Sequence, residues 1–156
     1  MREISTIVLV DLESEQIVWA LSGSWLRQHD AEFLPNGNLL LFDNEGNPSG
    51  PGISRVIEMN PVTQEVVWSY GSKENEMLDS VARSTQNRLA NGNTLIVESL
   101  AGRLLEVTPE GDIVWEFINP VRGGAEQDRI PIIFWVERLD PSRDLSPGFR
   151  RTLDLH

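Results

Sequence analysis

The sequence predicts an all-β fold, a partial β-propeller built from blades of four antiparallel strands. Three observations predict it. Short runs rich in Val, Ile, Leu, Phe and Trp are each bounded by Gly, Pro, Asn or Asp, the pattern of strands and hairpins, and no segment sustains a helical period. Two kinds of hairpin alternate: one returns through a Val-Trp pair, in stretches starting at Val8, Val56 and Leu104, and the other turns on Asn-Gly, in stretches starting at Ala31 and Asn87. Finally, Trp19, Trp68 and Trp115 are 49 and 47 residues apart, and Gly37 and Gly92 are 55 apart. A unit of about 50 residues holding four strands is the size of a kelch-type blade, whereas a sandwich or barrel would show hairpins without the alternation.

Taken in order, residues 4–21 form a Trp hairpin, the outer half (strands C and D) of a blade. Residues 30–70 and 84–117 form two full blades, each an Asn-Gly hairpin (inner strands A and B) followed by a Trp hairpin. Asn-Gly predicts a type I′ turn, which requires positive φ at both central residues. The run Ile132 to Arg138 is expected to be one terminal strand, so that blades occupy residues 1–140, and 141–156 is expected to be an irregular tail. The stretch from Asn119 to Pro131 is expected to be a mobile loop. Two blades and two parts cannot close a ring of ~4–8 blades. Three outcomes stay open: a fragment of a longer propeller, an open arc with an exposed strand edge, or a homodimer in which the terminal strand of each copy completes the half-blade of the other.

Composition narrows the partners. The formal charge is −11, from 24 acidic against 13 basic residues, with no basic stripe, so neither nucleic acid nor an anionic membrane is expected as a partner. The apolar runs are far shorter than the roughly 18 residues of a spanning helix, and the N-terminal stretch has no apolar core of signal-peptide length. The absence of cysteine removes disulfides, thiolate metal sites and cysteine nucleophiles together. No Walker loop, dinucleotide fingerprint, serine elbow or metal-spaced His and Cys set appears, so no cofactor and no metal is expected. The stretch DNEGNPSGPG from Asp43 lacks the spacing of a calcium loop and reads as a flexible loop.

The text QHDAEFLPNGNLLLFDN from Gln28, followed by QNRLANGNTLIVESLAGRLLEVTPEGDIVWEF from Gln86, resembles the arylsulfotransferase family over about Trp25 to Pro120. That resemblance implies a six-bladed propeller, export to the periplasm or cell exterior, and transfer of a sulfuryl group from an aryl sulfate to a phenol through a channel-facing histidine. Imidazole is nucleophilic at neutral pH, and nearby cations stabilise the developing charge on oxygen.

His29 is the candidate catalytic residue. It lies with Asp30 in the family's histidine-aspartate slot, just ahead of an inner strand. An offset of 55 sets Ser84 opposite His29, Thr85 opposite Asp30 and Arg83 opposite Gln28. Arg83 or Arg88, with Arg27 as a further member, could bind the sulfate, and Trp25 could stack on the aryl ring. The second histidine, His156, ends the sequence, so the constellation of several histidines that the family uses is not found in this chain. The competing reading is a non-catalytic propeller that binds a small ligand or a protein on its channel face.

Overall fold

The computed structural model describes residues 1–153. A 3-10 turn at Arg2–Ile4 leads into a two-stranded sheet, β1 (Thr6–Asp11) and β2 (Gln16–Ser22). Two four-stranded antiparallel sheets follow. The first contains β3 (His29–Phe33), β4 (Leu39–Asp43), β5 (Arg55–Met59) and β6 (Val66–Tyr70). The second contains β7 (Thr85–Arg88), β8 (Thr94–Glu98), β9 (Arg103–Val107) and β10 (Ile113–Ile118). In both, spatial order follows chain order, so each sheet is a meander with its first strand on one edge, as in a propeller blade.

The blades stack through their faces. Every residue of β4 is buried, because alternate side chains face different neighbours. Leu39 and Leu41 join Leu21, Trp25, Ile57 and Met59 in a core shared with the β1–β2 hairpin, against which Ile7 and Trp19 pack. Leu40 and Phe42 point the other way and join Leu34, Val56, Tyr70, Leu78, Ile96, Leu105 and Val107 between the two full blades. The outermost strand β10 is exposed along its whole length.

The Asn-Gly turns differ from expectation. Gly37 and Gly92 have φ of 84° and 90°, whereas Asn36 and Asn91 are absent from the positive-φ residues. The Gly37 N–H donates to the Leu34 carbonyl, and the Leu34 N–H to the Asn38 carbonyl. This is a three-residue loop, a type I turn followed by a left-handed glycine, and not type I′. Pro35 favours it by fixing φ near −65° at the second turn position. The Asn36 and Asn91 side chains close it by accepting the N–H of Asn38 and Asn93.

The C-terminal third departs further. Residues 132–138 form no strand ladder, since the neighbouring strand that would pair with them is not supplied by the described residues. The segment instead lies against the last blade, with the Ile133 N–H on the Ser99 carbonyl and Val136 beside Leu95 and Trp115. The expected mobile loop carries a turn closed by reciprocal hydrogen bonds between Gly123 and Arg129. The expected irregular tail contains two short helices, α1 (Pro141–Asp144) and α2 (Pro147–Thr152). Each begins with proline behind a capping side chain, Asp140 or Ser146, which is the ordinary chemistry of a helix start.

One polar device recurs. Glu58 on β5 is buried and accepts from Asn36 (3.0 Å) and Asn38 (2.7 Å) of its own blade, and from Arg88 (2.8 Å) of the next. Glu106 on β9 repeats it, accepting from Asn91 (3.3 Å), Asn93 (2.8 Å) and Arg138. Burial opposes ionisation of Glu58, but the Asn38 and Asn36 amides and Arg88 outweigh it and hold its pKa below the usual range. For Glu106 the Asn93 amide is the main cause of the same lowering.

Candidate functional site

His29 begins β3, half-buried, where the chain enters the inner strand of the first full blade. Its Nδ1 is 2.6 Å from the Asn44 Oδ1. Asn44 is fully buried just past β4, and its amide nitrogen donates to the carbonyls of Ser80 (2.7 Å) and Arg83 (3.1 Å). Those two carbonyls can only accept, so the amide is oriented and its oxygen must face the histidine. That oxygen needs a donor, which places the neutral imidazole proton on Nδ1 and the lone pair on Nε2. Nε2 carries no protein hydrogen bond among the described residues. His29 lines an open cleft of about 230 Å³ with Met1, Thr6, Ile7, Val8, Gln28, Asp30 and Ala31.

Asn44, the hydrogen-bond partner of His29, escaped the sequence reading. The signal was present, because the offset of 55 that sets His29 against Ser84 also sets Asn44 against Ser99. The structure gives the equivalent contact: Ser84 and Ser99 exchange backbone-to-hydroxyl hydrogen bonds of 2.8 and 3.1 Å. One slot thus holds a serine pair in the second blade and a histidine-asparagine pair in the first.

Asp30 has φ of 53° and interrupts the β3–β4 register. Its carboxylate accepts the Gln86 N–H at 3.1 Å, tying β3 to the free edge of β7. Loss of solvation raises its pKa above the usual range, against the opposing Gln86 N–H and the neighbouring His29. Glu32, two residues along, is raised for the same first reason. Asp30 therefore braces the strand entry beside the histidine.

Arg83 is brought to the same corner, with Asn44 bonded between its carbonyl and His29. Its guanidinium lies 5.0 Å from the Phe134 ring centroid and has no ion pair among the described residues. Arg88 is not brought there. It sits at the far end of β7, bonded to Glu58 and stacked 4.9 Å from the Trp68 ring centroid, so its charge is committed to joining blades. Arg27 is likewise occupied, by Glu45 at 2.8 Å.

Trp25 corrects the expectation of an aryl-stacking ring. It is 1% exposed and packed in the core between the hairpin and the first blade, leaving no face for a ligand. Its ring almost touches Gly23, where any Cβ would come within 2.1 Å of it. The stretch after β4 is anchored in its first half, where Asp43, Asn44 and Asn47 are buried, while residues 48–53 are exposed or half-buried. Asp43 accepts from the Leu26 and Gly46 N–H groups and pairs with Arg55, and the Asn47 amide donates to three carbonyls. No cluster of three His, Cys, Asp or Glu that could hold a metal occurs among the described residues. His156 lies outside them.

Stacked four-stranded meanders, with inner strands gathered at one corner, define a β-propeller-like protein. The model of the arylsulfotransferase (ASST) family matches residues 1–120, and the chain belongs to that family. Among solved structures, it is similar to a protein of unknown function from Bacteroides caccae, with 18% identity, a TM-score of 0.45, and coverage of 74% of this chain and 39% of that one. It is also similar to virginiamycin B lyase from Staphylococcus aureus, with 16% identity, a TM-score of 0.49, and coverage of 76% and 36%. This chain thus spans well under half the length of either structure. No curated protein matches it.

Proposed function

We propose that the protein takes part in sulfuryl transfer from an aryl sulfate to a phenolic acceptor, with His29 Nε2 meeting the sulfate in the cleft and Arg83 supplying positive charge. The observation that carries this reading is the tautomer set by Asn44, which leaves an unpaired imidazole nitrogen facing open space in a chain of this family. Backbone strain adds support. Arg27, Asp30, Arg83 and Ser84, all at this corner, have left-handed φ of 56°, 53°, 64° and 67°. Such residues cost about 1–3 kcal/mol each and cluster where geometry matters for function.

In the step envisaged, the Nε2 lone pair forms a bond to sulfur while the sulfur-to-aryl-oxygen bond breaks, and the phenolate leaves with that electron pair. Attack by the acceptor oxygen then breaks the N–S bond, and the acceptor's proton passes to water. With a nitrophenyl sulfate donor and phenol as acceptor, the His29→Ala protein should release nitrophenolate at least about 100-fold more slowly. Unchanged release would remove the reading.

One observation favours the competing reading, a ligand-binding scaffold without catalysis. Asp30 and Glu32 put two carboxylates on the strand of the candidate histidine, and Arg83 is the one nearby arginine without an ion pair among the described residues. A scaffold would bind uncharged phenols and turn over no sulfate ester.

A further inference from the structure

Asp30 follows the candidate histidine in the chain, yet it is not the group that orients the ring. Its carboxylate is taken by the Gln86 N–H, and the imidazole meets the Asn44 amide instead. Asn44 is buried, and both of its N–H groups are spent on the carbonyls of Ser80 and Arg83. Turning the amide over would set its oxygen against two carbonyl oxygens and strand both N–H groups at the imidazole, so one orientation is strongly favoured. A free histidine side chain favours the proton on Nε2. This partner reverses that preference and keeps Nε2 bare.

The same asparagine is anchored in a network of buried hydroxyls. Ser54 shares its hydroxyl proton between the carbonyls of Asn44 (2.7 Å) and Ser80 (3.1 Å), and accepts the Ser80 N–H at 2.8 Å. The Ser80 and Ser84 hydroxyls meet at 2.7 Å, and Ser80 also donates to the Ala82 carbonyl. Ser54, Ser80 and Ser84 are all buried. These bonds fold residues 80–84 into a strap that holds Arg83 and Ser84 in the left-handed conformation. Asn44 hydrogen-bonds both the strap and the imidazole.

We propose that Asn44 is the positioning residue of this site. Through Nδ1 it fixes the proton that leaves His29 Nε2 free, and through the Ser80 and Arg83 carbonyls it keeps the Arg83 strap in register with the ring. The inference rests on the reading of His29 as the group that meets the sulfate. An uncharged partner suits that chemistry. A carboxylate in the same place would favour the imidazolium, which has no lone pair for sulfur, whereas the amide accepts the Nδ1 proton without adding charge. Being buried, Asn44 acts through His29 and Arg83 and touches no substrate.

The tautomer is readable by nitrogen NMR on the isotope-labelled full chain with the imidazole neutral, the His29 signals being those that His29→Ala removes. In the unsubstituted protein Nδ1 should carry the proton and Nε2 should be bare. Asn44→Ser copies the residue at the equivalent position of the second blade, Ser99, and should shift the population toward protonated Nε2. With a nitrophenyl sulfate donor it should slow nitrophenolate release by about 10–100-fold, the usual cost of removing a partner that orients a functional histidine. Ser54→Ala perturbs the same network without touching the ring, and should leave the tautomer unchanged. A proton on Nε2 in the unsubstituted chain would overturn the proposal, whether or not the variants fold. So would an unchanged tautomer in a folded Asn44→Ser protein, or an equal shift in Ser54→Ala, which would trace the tautomer to the network as a whole. Release that is slowed by His29→Ala but not by Asn44→Ser overturns the positioning role alone. Unchanged release in both removes the reading of His29, and the positioning role with it.

Discussion

The two blade junctions solve one packing problem with opposite chemistry. At each, a tryptophan from an outer strand covers the residue at the end of the next inner strand, and the strand-C residue opposite that tryptophan completes the set. Between the full blades the set is Glu58, Trp68 and Arg88; between the hairpin and the first blade it is Leu9, Trp19 and Phe33. Trp19 and Phe33 meet edge-on at 5.7 Å, and the ion pair and the cation-over-ring contact are gone. The difference follows the neighbours. Glu58 has the two amides of an Asn-Gly turn beside it, whereas Leu9 has no such turn among the described residues. A buried carboxylate is tolerable where its remaining lone pairs are satisfied, and an apolar trio serves where they would not be.

The largest expected effect comes from breaking the polar junction on one side. Glu58→Ala leaves Arg88 and two turn amides without their acceptor, and should cost about 3–5 kcal/mol in a denaturant titration. Copying the apolar set into the same place with Glu58→Leu, Arg88→Phe should recover most of that loss, since well-packed hydrophobes often replace a buried pair at little cost. Failure to recover would mean that the Asn-Gly turn, and not the junction, depends on the carboxylate. A smaller loss, about 1–2 kcal/mol, is expected for Glu106→Ala, because its arginine partner is more than half exposed.

The smallest effect is in pH. Glu58 titrates below its ordinary range when folded, so its contribution is present above the unfolded pKa and is lost as pH falls through the folded one. The stability gap between wild type and Glu58→Gln should therefore narrow on acidification below the usual glutamate range. Asp30 has the opposite sign. Its raised pKa makes ionisation costly in the fold, so Asp30→Asn should gain relative stability as pH rises through the window above the unfolded value of 3.8.

The architecture was legible because strand alternation and turn residues act locally and twice over: Trp19, Trp68 and Trp115 recur at one position, and both Asn-Gly turns fold alike. What escaped was set by packing at a distance. Trp25 falls outside the tryptophan register, so nothing in its spacing told of a core position. Arg88 looked like a free cation because its acceptor, Glu58, lies 30 residues away. Residues 132–138 carry the composition of a strand, but a strand exists only with a partner edge, and composition does not supply one. Of the candidate site, His29, Asp30 and Arg83 come to one corner, while Asn44 became visible only through its contacts.

The slot shared by His29–Asn44 and Ser84–Ser99 makes the channel modular. Both pairs bridge the start of an inner strand to the end of its neighbour, and the serine pair shows that the ladder does not require an imidazole. The same ladder position therefore accepts a titratable group in one blade and a hydroxyl pair in the next without a change of scaffold.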